Sequence, residues 1–249
     1  MATGDVALIT YADDYVGPGA VDTLLEDGFT VLAHSLRFGD ATERDMFAAA
    51  HPLCHIASST DAVDCVAEAK QRFGRVDAAL SNDIPFALVD DVVQKVDRSD
   101  FDAMVEALLL RPQRFVAAVL ETMLAQKSGR LALVTSGAAD KFPHRSSDGN
   151  TGYLAARAGA NALARTLAVK HAADNIQINV IAPFYLYSDR VFPAPGGQND
   201  PAHKDRLARD VPSNRFGEDS EVGALVSFLL SGRSAFTTGQ VIAFSGAGA

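Results

Sequence analysis

Apolar strand-like runs alternate with amphipathic helical stretches from one end of the chain to the other, and that alternation leaves few folds open. It is the pattern of a parallel sheet covered by helices on both faces. Strands are expected near Val6 to Thr10, Phe29 to His34, Leu53 to Ala57, Val76 to Ser81, Leu131 to Ser136, Ile176 to Ile181 and Gln240 to Phe244. Helices fit Gly17 to Glu26, Ala41 to Ala50, Asp61 to Phe73, Asp100 to Gln126, Thr151 to Ala173, Ala202 to Asp210 and Ser220 to Leu230. Ser99-Asp100 is placed to cap the fourth helix, Ser128-Gly129 to end it, and Pro112 predicts a kink inside it. The fold class is therefore α/β, a doubly wound parallel seven-stranded sheet. At 249 residues the chain suffices for one large core, so residues 1–249 are expected to form a single domain. The Pro/Gly-rich stretch Phe192 to Pro201 reads as a loop over the active site rather than as a linker.

A formal charge of −9 and the absence of a long Lys/Arg run argue against nucleic acid or an anionic membrane as partner. A small molecule or a protein remains. Met1-Ala-Thr-Gly-Asp-Val lacks a charged n-region and an apolar h-region, and no apolar run nears the roughly 20 residues that span a bilayer. A soluble, cytoplasmic protein is expected. Cys54 and Cys65 show neither C-x-x-C nor zinc-ligand spacing, and the six histidines form no H-E-x-x-H. Two reduced thiols in or near the core, and no metal, are the expectation.

The segment Tyr153-Leu-Ala-Ala-Arg157-Ala puts a phenol and a cation four residues apart, on one face of a helix. The cation lowers the cost of the phenolate. Leu131-Ala-Leu-Val-Thr-Ser136 reads as a buried strand ending in a hydroxyl, so Ser136, Tyr153 and Arg157 can converge at a strand's carboxyl end, where chemistry sits in open α/β sheets. This set resembles the catalytic residues of the short-chain dehydrogenase/reductase family, with Arg157 where that family has Lys. The resemblance covers essentially the full length and implies a Rossmann-like fold. Ser81-Asn82-Asp83 occupies the place of the family's N-N-A-G, Thr238-Gly239-Gln240 matches its T-G-Q, and Arg215-Phe216-Gly217-Glu218 its R-x-G-x.

One family feature is missing. Dehydrogenases of this kind carry T-G-x-x-x-G-x-G after the first strand, because the pyrophosphate needs bare backbone at a helix amino terminus. Aligned on Thr10 and Gly17, the motif has Tyr11 and Tyr15 in place of its first two glycines, which leaves Gly17 for close packing of helix on strand. Strand two ends Ala33-His34-Ser35 rather than in the acid that holds an NAD ribose, and Arg37, able in principle to take a 2′-phosphate, reads as solvated. No nicotinamide or other cofactor is expected.

Within the superfamily, a Ser, Tyr and Arg set without the nucleotide glycines resembles halohydrin dehalogenase. There the vacated nicotinamide region is a halide pocket, and Ala182-Pro183-Phe184-Tyr185-Leu186 looks like that family's P-x-Y-L halide segment. The resemblance implies halide binding by Tyr15, Pro183, Phe184, Tyr185 and Leu186. It also implies conversion of vicinal haloalcohols to epoxides, with release of halide and a proton, and the reverse opening by halide, azide, cyanide or nitrite. Asp83 is either a proton relay to Arg157 or a plain charge partner. The interval from Ser136 to Tyr153 is four residues longer than usual, so Ser146 or Ser147 stands as an alternative to Ser136. A homotetramer follows by resemblance, through the helices Asp100 to Gln126 and Thr151 to Ala173. Two other readings stay open: an NAD(P)H-dependent short-chain reductase, and a non-catalytic metabolite-binding protein.

Overall fold

Parallel strands covered on both faces carry mostly apolar side chains, which sort by alternation into two cores. The computed structural model describes residues 4–83, 98–139, 151–184, 186, 209 and 211–247. Its strands are Val6–Ile9 (β1), Thr30–Ala33 (β2), His55–Ile56 (β3), Ala78–Ser81 (β4), Gly129–Val134 (β5), Ile176–Pro183 (β6) and Val241–Phe244 (β7). They form one parallel sheet in the order β3-β2-β1-β4-β5-β6-β7. The helices are Gly17–Glu26 (α1), Ala41–Ala50 (α2), Ala62–Phe73 (α3), Arg98–Val105 (α4), Arg111–Gln126 (α5), Thr151–His171 (α6) and Asp219–Leu230 (α7).

Ala7, Ile9, Val31, Leu80 and Val134 face one core, shared with Val21 and Leu24 of α1 and with Val222, Val226 and Leu229 of α7. Their strand neighbours Leu8, Leu32, Ala79 and Leu133 face the other, shared with α3, α5 and α6. Because β1 pairs with β2 on one side and β4 on the other, the chain reverses its winding there and opens a crevice at the carboxyl edge.

Several boundaries differ from the sequence reading. Strand β3 is two residues long because only β2 flanks it, and Leu53 is exposed. Strand β6 runs on to Pro183 because β7 pairs beside it as far as Phe244. Ser99 and Asp100 lie inside α4 rather than before it. The end of α5 is set by Lys127 in a left-handed conformation, φ 55°, while Gly129 already belongs to β5. A single π turn at Glu106–Leu110, just before Pro112, separates α4 from α5. Pro112 has no N–H to offer one turn back, and the wider turn absorbs that gap. The expected helix 202–210 lies outside the described residues apart from Arg209.

Two glycines fix α1 against α7. A Cβ on Gly19 would land on the carbonyl of Asp219, and one on Gly223 on the carbonyl of Gly19 and the Thr23 hydroxyl. Backbone cannot yield as a side-chain tip can. Gly223→Ala is therefore expected to lose about 1–3 kcal/mol to overpacking, more than the ~1 kcal/mol that alanine gains over glycine in a helix. A lower melting temperature than wild type is the readout.

Candidate functional site

The turn from β1 into α1 keeps the backbone shape of a glycine loop while carrying tyrosines. Tyr11 has φ 47° and Tyr15 φ 55°, both in the left-handed region that glycine occupies without strain. The Asn82 side chain pins this loop, donating to the carbonyls of Tyr11 and Asp14 at 2.9 Å each, while its main-chain N–H donates to Thr10 Oγ1 at 2.9 Å. A Cβ on Gly17 would sit 2.5 Å from the Tyr11 carbonyl oxygen, so this glycine lets the loop fold back on the helix start rather than packing helix on strand.

Tyr11 is wholly buried. Its hydroxyl accepts from Arg111 Nη1 at 2.5 Å, and its ring meets that of His34 edge-on at 5.7 Å between centroids. Burial, helped by the Asp83 carboxylate and opposed by Arg111, pushes the phenol up to about 12. His34 donates from Nε2 to the Thr60 carbonyl at 2.9 Å, and burial pulls its pKa below the ordinary imidazole value, which keeps it neutral. Arg37 is not simply solvated: it pairs with Glu43 and lies 3.8 Å from Asp13.

Ser136 stands two residues past the end of β5. Thr135 still donates to Ile181 at 2.9 Å, and the chain then leaves the sheet in a short 3-10 turn, Gly137–Ala139. The Ser136 hydroxyl accepts from the Ala138 N–H at 3.3 Å, and a hydroxyl that accepts still has its own proton to donate. On α6, the Arg157 guanidinium carbon lies 5.3 Å from the centroid of the Tyr153 ring, as the four-residue spacing requires. Arg157 is itself buried. It donates from Nη1 to the Val134 carbonyl at 2.8 Å and from Nη2 to the Asp83 carbonyl at 3.0 Å, so one cation bridges the ends of β5 and β4.

Arg157 therefore meets Asp83 through the main chain and not through the carboxylate. The Asp83 carboxylate instead accepts from Ser81 at 2.6 Å and from Thr10 at 3.4 Å. Burial raises its pKa, against the opposing pull of Ser81, His34, Arg157 and Arg111. Its second oxygen has no hydrogen-bond partner among the described residues.

The segment after β6 closes on the same edge. Pro183 is the buried last residue of β6, and the Phe184 N–H donates to the Phe244 carbonyl at 3.1 Å. The Phe184 ring is so close to Gly137 that a Cβ there would meet it at 3.2 Å, which sets Phe184 beside the Ser136 turn. Leu186 is wholly buried, bridges to Gly217, and shares one apolar cluster with Tyr15, Val134 and Ile181. Tyr15, Ser136, Tyr153, Arg157, Asp83, Pro183, Phe184 and Leu186 thus gather at one sheet edge, whereas Tyr185, Ser146 and Ser147 lie outside the described residues. The Asn82 clamp and the Arg111 to Tyr11 contact escape sequence reasoning. Only Asn82 left a signal, its place in the N-N-A-G position. No metal-ligating cluster of His, Cys, Asp and Glu occurs among the described residues, and no helix there is long and apolar enough to cross a membrane.

Known proteins resemble the chain along its whole length. The 3-oxoacyl-(acyl-carrier-protein) reductase of Staphylococcus epidermidis is 26% identical, over 96% of this chain and 97% of its own. Among solved structures, one described as a dehalogenation enzyme superposes with a TM-score of 0.89 at 30% identity, covering 100% of both chains. A halohydrin dehalogenase bound to ethyl (2S)-oxiran-2-ylacetate superposes with a TM-score of 0.87 at 31% identity, over 98% of this chain and 96% of its own. The family model described as enoyl-(acyl carrier protein) reductase matches residues 15–246. With its seven-stranded Rossmann-like sheet, the chain belongs to this family, within the short-chain dehydrogenase/reductase superfamily.

Proposed function

We propose that the protein is a cofactor-independent halohydrin dehalogenase, which turns vicinal haloalcohols into epoxides. The observation that carries this reading is the pairing of a buried Arg157 beside Tyr153 with tyrosines at both glycine positions of the nucleotide loop. A dinucleotide's pyrophosphate packs against bare backbone at that turn. Tyr11 is locked inward by Arg111 and His34, and Tyr15 is buried in an apolar cluster, so these residues do not fit a nicotinamide dinucleotide. The two dehalogenating neighbours support the same conclusion.

A vicinal haloalcohol contains its own nucleophile. The Tyr153 phenolate takes the hydroxyl proton while Ser136 donates to the substrate oxygen and holds it. Arg157 does not touch substrate in this scheme. Its charge stands at the phenol ring and is anchored on two strand-end carbonyls, so it stabilises the phenolate without moving when the proton transfers. The alkoxide then displaces halide in line from the adjacent carbon: a C–O bond forms, the C–halogen bond breaks, and epoxide, halide ion and one proton result. Pro183, Phe184, Tyr185, Leu186 and Tyr15 receive the anion on apolar and aromatic walls. In reverse, halide, azide, cyanide or nitrite opens the epoxide. Asp83 is a candidate relay for that proton; its buried carboxylate, with its pKa raised by burial, is held by Ser81 and Thr10 rather than by a contact with Arg157.

The second reading is an NAD(P)H-dependent reductase, favoured by the oxoacyl reductase relative and the enoyl reductase family model. A thermal-shift titration separates the two. NADH and NADPH at millimolar concentration are expected to leave the melting temperature unchanged, since a ligand of the native state must raise it. Saturable binding of either nucleotide would transfer the assignment to the reductase.

Purified protein without added nucleotide is expected to release chloride and acid from 1,3-dichloro-2-propanol. Tyr153→Phe should lower that rate by about 10²–10⁴-fold, the usual contribution of a general base. Near-normal release would require a different base. Arg157→Lys keeps the charge but cannot serve two carbonyls with a planar fork. Lower activity is expected.

A further inference from the structure

The Tyr11 hydroxyl does more than excluding a dinucleotide requires. Phenylalanine would fill the same volume, keep the edge-on contact with His34 and bar the pyrophosphate equally well. The phenol is held as a fixed post. It has no exposed surface, its backbone is left-handed at φ 47°, and its carbonyl is gripped by the Asn82 amide at 2.9 Å. Its oxygen accepts from Arg111 Nη1 at 2.5 Å, and a charged donor makes such a bond stronger than one between neutral groups. Burial pushes the phenol up to about 12, so at neutral pH it stays an uncharged hydroxyl.

Arg111 opens α5, immediately after the π turn at Glu106–Leu110. Its main-chain N–H donates to the Glu106 carbonyl, which closes the turn, while its side chain reaches Tyr11. Single π turns are rare and concentrate at functional sites. This one packs against the helix that carries the proposed base: Ala107 and Leu108 form one cluster with Met104 and Ala156, and Val105, Leu109 and the Tyr153 ring pack against it. The fit is tight on either side of that ring. A Cβ on Gly152 would come within 2.9 Å of the Phe101 Cα, and one on Gly159 within 3.1 Å of the Leu109 side chain. A turn that slipped by one residue would carry Leu108 and Leu109 to new positions, and the Tyr153 ring would have to follow.

We infer that Tyr11 is a positioning residue: its hydroxyl fixes Arg111, Arg111 fixes the π turn, and the π turn sets where the Tyr153 ring stands. The inference rests on the dehalogenase reading for the reaction that Tyr153 carries out. Proton abstraction depends steeply on distance, so a small displacement of the phenol slows turnover while substrate contacts made by other groups persist. The turn and the loop after β1 belong to distant parts of the chain, and the Arg111 to Tyr11 bond joins them.

The test is a double-mutant cycle in the full chain, with Tyr11→Phe, Arg111→Met and both together, read by halide release from 1,3-dichloro-2-propanol. Each single variant should lower kcat by about tenfold and leave KM within about twofold, the split expected when the base is misplaced but the substrate still binds. The double variant should be no slower than about twofold below the slower single, because both changes break one bond. Arg111→Lys keeps a donor of similar reach and should recover much of what Arg111→Met loses. Should Tyr11→Phe not fold, the Arg111→Met and Arg111→Lys pair decides in the same way. A second readout needs no activity: with 3-fluorotyrosine incorporated, the fluorine resonance of Tyr153, assigned by its loss in Tyr153→Phe, should move in Tyr11→Phe. An unchanged kcat in Tyr11→Phe would overturn the inference even if its melting temperature fell, since the bond would then serve stability alone. Additive losses in the double variant, or no recovery in Arg111→Lys, would overturn it as well. If wild type released no halide and the Tyr153 resonance still moved in Tyr11→Phe, the dehalogenase reading would fall and the coupling would stand; an unmoved resonance would remove both.

Discussion

The buried guanidinium of Arg157 is the interaction on which the candidate site depends. Removing a cation from water costs several kcal/mol unless partners replace its hydration. Here the partners are two carbonyls, at the ends of β4 and β5, which the parallel sheet leaves without a further strand to bond. The same contacts tie α6 to the sheet edge at one defined height, and so hold Tyr153 one turn away from Arg157. Fold and site share one cause: the strand ends need donors, the cation needs acceptors, and the phenol stands beside both.

The β1–α1 loop shows how a nucleotide-binding backbone can survive a change in its side chains. Its shape no longer depends on glycine alone. Asn82 grips two of its carbonyls, Asp14 holds the N–H of Tyr15, and Gly17 lets the chain fold close. With the backbone held in this way, left-handed conformations are imposed on Tyr11 and Tyr15, whose rings are both buried. The rings go to different places: Tyr11 inward to Arg111 and His34, Tyr15 into the apolar cluster with Val134, Ile181 and Leu186.

Much of this could be read from the sequence. Helices α1 and α2 fall where expected because their ends carry chemical signals: a proline in the first turn of α1, and Asp40 capping α2 by accepting from Thr42 and Glu43. Gathering Ser136, Tyr153 and Arg157 at one edge follows from alternation and spacing. What escaped the sequence was whatever depends on backbone groups meeting across the fold. Nothing in the residue string says that Arg157 reaches the Asp83 carbonyl rather than its carboxylate. Likewise a π turn has no composition of its own, and Pro112 hints only that some hydrogen bond must be given up. Edge strand β3 was read too long because apolarity marks burial, and Leu53 is apolar without being buried.

The contact of Gly19 with Asp219 and Gly223 joins parts of the chain about two hundred residues apart. Such a contact closes a very long loop and forms only after most intervening structure has condensed. Helix α1 therefore reaches its full packing only once α7 is in place. During synthesis, the face of α1 that carries Gly19 waits, already translated, for α7 to leave the ribosome.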